Sequence, residues 1–203
     1  MTTLQEVIAE PFTVFRRPFA GVKPAIPAVN QTANQIIAAG WALVGARGNN
    51  SVKREGVKLS VTPEFQTYRG ANTLKVQDRW IVSDEAMIEF SLVDVSHEVL
   101  ALALHQNVTT SGAGATKYKE IGLGHPFELQ RNSWLLYGRS PESVAKDVTK
   151  NRFALIWDGI ITSAYEDMPS LDAPSEIPFK VEPISLDAEP EVSKYGIVRT
   201  WAA

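Results

Sequence analysis

Residues 74–93 alternate apolar and polar side chains over twenty positions, longer than an ordinary strand needs. The even positions hold Leu74, Val76, Trp80, Val82, Ala86, Ile88, Phe90 and Leu92, and the odd ones Lys75, Gln77, Arg79, Ser83, Glu85, Glu89 and Ser91. Strand side chains point to opposite faces in turn, so the segment reads as a ribbon dry on one side and wet on the other. At roughly 3.3 Å per residue it spans about 60 Å. Strands in compact domains run about 5 to 6 residues, so this length asks for a use beyond one small core.

A chain of 203 residues, 44% hydrophobic and 21% charged, can bury one core, or one core with extended arms. Its formal net charge of -3 lacks the basic excess of a dedicated nucleic-acid binder. Without cysteine there are no disulfides, thiolate zinc sites or thiol nucleophiles. The longest apolar run, residues 99–104, is far short of a membrane-spanning helix. Residues 1–10 carry neither a basic nor an apolar leader region, so the expectation is synthesis and folding in a cytosol.

Four parts follow one another along the chain. Residues 1–34 hold Pro11, Pro18, Pro24 and Pro27, each without a backbone donor, and read as an extended arm. A single β-rich domain is expected over residues 35–203. It begins with strand character at residues 36–44, then Val57, Leu59, Val61 and Phe65 alternate with Lys58, Ser60, Thr62 and Glu64, and the long ribbon follows. Between the last two lies the turn-forming Arg69-Gly70-Ala71-Asn72, so the two strands form a long hairpin with a projecting loop.

Ser96 reads as a helix cap, with Glu98 in the first turn and Val95, Val99 and Ala103 on one face of a short helix ending near Asn107. Residues 109–124, rich in Gly and Thr, read as a mobile loop. Phe127, Leu129, Leu135 and Tyr137, then Phe153, Leu155, Trp157, Ile161 and Tyr165, predict further strands, with a possible helical turn after Ser140-Pro141-Glu142. Ile177, Phe179 and Val181, then Tyr195, Ile197 and Trp201, predict two closing strands. The expected class is mainly β: an antiparallel sandwich or barrel with one short flanking helix.

The search for chemistry returns few candidates. His97 and His105 lie about 12 Å apart on a helix, too far to share a metal. No His-Glu-x-x-His, Gly-x-Ser-x-Gly or Gly-Lys-Ser/Thr pattern occurs. No catalytic, metal or cofactor residue is assigned. Asp78 and Asp84 fall on the otherwise apolar face of the ribbon, as an acid pair of the glycosidase kind or as the mark of a bend or interface. Asp158 reads as a site residue beside an aromatic wall, or as a strand end. Trp41, Trp80, Trp134, Trp157 and Trp201 are scattered and alternate with core residues, so packing is their expected use.

A long two-faced hairpin has one particular use. When several subunits contribute such hairpins side by side, their edges pair between chains, the sheet closes, and the wet faces line a lumen. A heterologous contact that closes gives a ring, and stacked rings give a tube. The lumen-facing set read from alternation is Lys58, Ser60, Thr62, Glu64, Lys75, Gln77, Arg79, Ser83, Glu85 and Glu89.

Gly40-Trp41-Ala42-Leu43-Val44-Gly45, the hairpin over residues 57–92, and Asp94-Val95-Ser96-His97-Glu98-Val99-Leu100 together resemble the major tail tube proteins of long-tailed, siphovirus-like bacteriophages. That resemblance implies hexameric rings stacked into a virion tail tube, assembled in the host cytoplasm, through which DNA passes without tight or sequence-specific binding. It implies that the loop Gln66, Thr67, Tyr68, Arg69, Gly70, Ala71, Asn72 and Thr73 reaches the adjoining ring. Its implied partners are further copies of itself and the tape measure, tail terminator and distal tail proteins, with no membrane and no cofactor. Two other readings stand beside it: a carbohydrate-binding or adhesive β-sandwich, and a β-rich hydrolase using Asp78, Asp84 or Asp158.

Overall fold

Ala86, Ile88, Phe90 and Leu92 are buried in file along one strand, as period-two alternation requires. The computed structural model describes residues 6–8, 13–28, 31–45, 52, 56–69, 76–93, 96–124, 126–139, 151–163 and 176–200. In chain order these form β1 (Glu6–Ile8), β2 (Thr13–Pro18), α1 (Ala33–Ala38), β3 (Ala42–Gly45), β4 (Val57–Arg69), β5 (Val76–Val93) and α2 (His97–Ala103). After them come β6 (Thr109–Ser111), β7 (Tyr118–Glu120), β8 (Asn132–Arg139), β9 (Asn151–Ile161), β10 (Glu176–Pro183) and β11 (Gly196–Thr200). Short 3₁₀ turns occupy Gly114–Thr116 and Glu191–Ser193.

The chain is mainly β, with two sheets among the described residues. Nine strands form one sheet in the order β1-β4-β5-β10-β9-β8-β2-β3, with β11 also on β9, and β6–β7 form the other. Every pairing is antiparallel. The large sheet is open: β1 and β3 end its path and do not pair with each other, so the expected barrel is corrected to an unclosed sheet.

Residues of β2, β8 and β9 are buried on both faces. One face carries Val14, Trp134, Leu136, Ala154 and Ile156 into a cluster with Ile88, Phe90 and Leu92 of β5 and Ile177, Phe179 and Val181 of β10. Phe90 stacks on Phe179 at 5.0 Å and meets the edge of Trp134 at 6.2 Å. Val99, Leu102 and Ala103 of α2 pack against this cluster. The opposite face carries Phe15, Leu135, Phe153, Leu155 and Trp157 against Ile36 of α1 and Trp41.

The segment expected to be an arm therefore contributes an interior strand. β2 pairs with β8 on one edge and β3 on the other, and Val14 and Phe15 are fully buried. Residues 33–38, within and just beyond that segment, are helical rather than extended. Thr32 accepts the Gln35 amide and the Gln35 side chain accepts the Thr32 amide, a reciprocal capping box that starts α1. One expected helix thus becomes two.

Ser96 caps α2, with Glu98 in its first turn, as the sequence predicts. The helix stops earlier than expected, because His105 takes a left-handed φ of 54° and closes a Schellman motif. Its N–H bonds to Leu102 O at 3.1 Å, and that of Gln106 to Ala101 O at 2.7 Å. The expected mobile loop over 109–124 instead contains the β6–β7 hairpin, tied to α2 by Lys119 and Glu98 at 2.5 Å. Phe127 and Leu129 precede β8 and are exposed. β9 matches the strand expected from Phe153 to Ile161, and β10 and β11 match the two expected closing strands, while the helical turn after Ser140 lies outside the described residues.

Candidate functional site

From Val76 onward the long alternating ribbon is β5, one strand of the β4–β5 hairpin. The two strands pair from Lys58↔Glu89 to Arg69↔Val76. β1 lies beside β4 only at residues 57–59, and β10 beside β5 only at residues 88–93. Past those points no other strand among the described residues pairs with either edge, so the hairpin runs beyond the sheet as a two-stranded ribbon.

Its two faces differ near the root. Lys58, Ser60, Thr62 and Glu64 stand opposite Glu89, Met87, Glu85 and Ser83, so the expected polar residues of β4 share a face with Glu85 and Glu89. Lys58 and Glu89 close an ion pair across it at 2.6 Å. The other face pairs Leu59 with Ile88 and Val61 with Ala86.

Two register shifts interrupt this pattern. Between Glu64 and Phe65 the partner steps from Ser83 to Ile81, passing over Val82; between Tyr68 and Arg69 it steps from Asp78 to Val76, passing over Gln77. A single parity therefore does not run the length of β5; the skipped Val82 lies between Asp78 and Asp84, which mark a bend in the sequence, while the apolar Ile81-Val82 pair hides its position. Trp80 stands in register with Gln66 and Arg79 with Thr67. Beyond the first shift Phe65 and Ile81 are cross-strand partners, 48% and 59% exposed, with Val61 at 46% nearer the root. Of the loop candidates, Gln66, Thr67, Tyr68 and Arg69 end β4; Gly70, Ala71, Asn72 and Thr73 lie outside the described residues, as does Lys75. For Gln77, Arg79 and Ser83 the described structure is the β5 backbone.

Asp84 marks where the ribbon leaves the core. The Tyr195 hydroxyl donates to its main-chain carbonyl at 2.8 Å, and Lys194 meets its carboxylate at 2.5 Å and Glu191 at 3.1 Å. The Asp84 and Glu191 contacts raise the Lys194 ammonium above its ordinary value. Burial, then the negative Asp84, raises the Tyr195 phenol, which keeps it a donor. These contacts tie the ribbon at Asp84 to the residues before β11.

A second polar region gathers around Asp158 of β9 and the start of β8. Asp158, expected at a site or strand end, sits within β9 and is fully buried. Its Oδ2 accepts from Arg131 Nε at 2.9 Å and from Arg131 Nη2, and these bonds raise the Arg131 guanidinium. Arg131 also lies over the Phe19 ring, 5.1 Å from its centroid. His105 accepts the Gln130 N–H on Nδ1 at 3.2 Å, so Nε2 carries the proton and donates to Ile161 O at 2.9 Å. These bonds fasten α2 and the start of β8 to β9.

Beside this network lies a cleft of about 570 Å³, lined by Arg16, Gln130, Arg131 and Asn132 on the sheet side and Ala101 and Leu102 on α2. Arg16 donates to Asn132 Oδ1 at 3.2 Å across a sequence separation of 116 residues. Burial lowers the Arg16 guanidinium from its ordinary value. Sequence reasoning missed this cleft, whose one local signal was the Val14-Phe15 pair that precedes Arg16 within β2.

Trp41, Trp134 and Trp157 are buried, and Trp157 donates its indole N–H to Ser193 O at 2.8 Å. Among the described residues no group of three His, Asp or Glu side chains is placed to hold a metal ion, and no helix is long and apolar enough to cross a membrane. Neither protein-family models nor curated protein sequences match this chain.

Proposed function

We propose that this chain is the subunit of a self-assembling tube, the tail tube of a long-tailed bacteriophage, in which stacked rings of layered β-sandwich subunits form the conduit for DNA. The observation that carries the reading is the β4–β5 hairpin, which outruns its neighbours β1 and β10 and, among the described residues, has no strand on either edge beyond residues 59 and 88. Unpaired backbone donors and acceptors along such edges favour pairing with another chain. The exposed Val61, Phe65 and Ile81 supply apolar area for the same contact. Lys58, Thr62, Glu64, Glu85 and Glu89 then offer a lining of mixed sign, which disfavours the cooperative counterion release of a uniformly basic channel.

Rings of six, the inter-ring role of the loop 66–73, and contacts with tape measure, tail terminator and distal tail proteins belong to this proposal through the resemblance. The test is negative-stain microscopy of the purified chain over a concentration series. Discs or tubes are expected, and a monodisperse monomer at every concentration and salt overturns the reading. Shortening residues 66–73 to a two-residue turn is expected to leave a folded subunit that forms rings and does not stack; normal tubes from that variant overturn the inter-ring role.

A further inference from the structure

The cleft between α2 and the adjoining ends of β2 and β8 contains Arg16, a cation with no anionic partner among the described residues. Arg16 stands in register with Trp134, and Pro18 with Asn132, so these residues continue the face that carries Val14 and Leu136 into the core. The Arg16 guanidinium is therefore held at the mouth of an apolar cluster, partly withdrawn from water. Its one partner among the described residues is the neutral Asn132 amide oxygen. Asn132 is itself buried and oriented, since its Nδ2 donates to Gln130 O at 3.4 Å.

The nearby carboxylates are committed elsewhere. Glu98, on the cleft wall, pairs with Lys119, and Asp158 is held by Arg131. Arg131 uses Nε and Nη2 on Asp158, which leaves its Nη1 without a hydrogen bond among the described residues. Counted as formal charges, Arg16, Arg131 and Lys119 against Glu98 and Asp158 give +3 − 2 = +1. A guanidinium offers paired N–H donors that match the two oxygens of a carboxylate, and it meets that geometry better than a lone amide does.

We propose that this cleft binds a small organic carboxylate, with the Arg16 guanidinium as its principal partner and Arg131 Nη1 as a second donor. The volume of about 570 Å³ is that of a small-molecule site. Pro18, Ala101, Leu102 and Val108 line it beside the polar groups, so the carbon part of the ligand has an apolar wall and the charge has a cation. The site does not depend on the tube reading, because it lies on α2, β2 and β8 rather than on the hairpin.

Succinate is the probe, titrated into the full chain at constant ionic strength with inorganic phosphate as the comparison. Succinate is expected to raise the melting temperature in a saturable way and to slow amide exchange around residues 101–108 and 130–132, with no change at the hairpin. Arg16→Gln is expected to weaken the half-saturating concentration at least tenfold, and Arg16→Lys by less. If succinate neither raises the melting temperature nor slows exchange in the native chain, the proposal fails whatever the variants do. It fails equally if phosphate matches succinate at the same concentration, since the apolar wall then contributes nothing, or if Arg16→Gln binds as the native chain does.

Discussion

The phenol of Tyr195 donates to the main-chain carbonyl of Asp84 at 2.8 Å, joining the residue before β11 to the point where the β4–β5 ribbon departs from the sheet. Below Asp84 the ribbon has β10 at its flank; above it, the hairpin has only itself among the described strands. The bond and the Lys194 ion pair therefore fix the ribbon's direction at its root.

Tyr195→Phe removes that hydroxyl and leaves the ring in place. The expected loss is about 1 kcal/mol of unfolding free energy, with faster amide exchange at residues 81–87 and unchanged exchange in β8 and β9. Exchange followed by mass spectrometry reads both. Uniform acceleration across the sheet would show that the bond stabilises the whole fold rather than the hairpin root. Because Lys194 is raised in the folded chain, its contribution is fully present below the ordinary lysine range and is lost as pH rises through the folded value. A Lys194→Met variant is therefore expected to differ from the native chain at pH 7 and to approach it at strongly alkaline pH.

Gly196 has no room for a side chain. An added Cβ would lie 2.2 Å from Leu155 O and 3.0 Å from Ile156 Cα, both backbone atoms of β9. Gly196→Ala must displace β11 and is expected to cost about 1–3 kcal/mol. Val198→Thr, at an exposed position two residues along the same strand, is expected to stay within about 0.5 kcal/mol. Denaturant unfolding of the two variants compares them directly, and equal midpoints would contradict the close approach.

Buried Asp158 and half-exposed Arg131 make an asymmetric pair. Arg131→Gln leaves a carboxylate inside β9 without its cation and is expected to cost about 3 kcal/mol. Asp158→Asn added to that variant removes the stranded charge, so the double variant is expected to be more stable than Arg131→Gln alone. Additive losses in this cycle would mean that the two residues do not act as a unit.

The parts of this fold that were legible share one property: their signal is local. Alternation in β5, the Ser96 cap of α2 and the β10 sequence Ile177, Phe179, Val181 each sit within a few residues. α1 also has a local signal in Thr32 and Gln35, but the β-branched Ile36-Ile37 pair favoured a strand, and the capping box decided otherwise. β2 was hidden by the prolines around it, because Pro18 closes the strand rather than excluding it. The cleft was out of reach for a different reason. It exists because β2 pairs with β8, which brings Arg16 to Asn132 across most of the chain, and no local pattern encodes that pairing.

Two exposed ion pairs set a modest acid dependence. Hydrogen bonds from Lys119 and Lys180 hold the Glu98 and Glu182 carboxyls below their ordinary value. A depressed carboxyl contributes stability above its unfolded pKa and loses it as pH falls through the folded one, so the effect fades at and below about pH 4. Glu98→Gln is expected to lower stability at pH 7 by less than about 1 kcal/mol, because both partners are exposed and solvent screens them. The difference should vanish near pH 3 and in high salt, as read by thermal melts; persistence in either condition would assign the effect to packing.

Phe65 and Ile81 bear most directly on the proposed assembly. They are cross-strand partners on a ribbon with no flanking strand among the described residues, and both remain about half exposed in the single chain. Replacing them as Phe65→Lys with Ile81→Glu keeps a favourable cross-strand pair and removes the apolar surface, so the folded subunit should lose no more than about 1 kcal/mol. Docking of one hairpin against another would instead place both charges in a desolvated contact, at a cost large enough to oppose assembly. The concentration at which rings appear is therefore expected to rise at least tenfold by sedimentation velocity, with the monomer's melting temperature nearly unchanged. Rings forming at the native concentration would remove this face of the hairpin from the subunit contact and leave the open strand edges as its remaining basis.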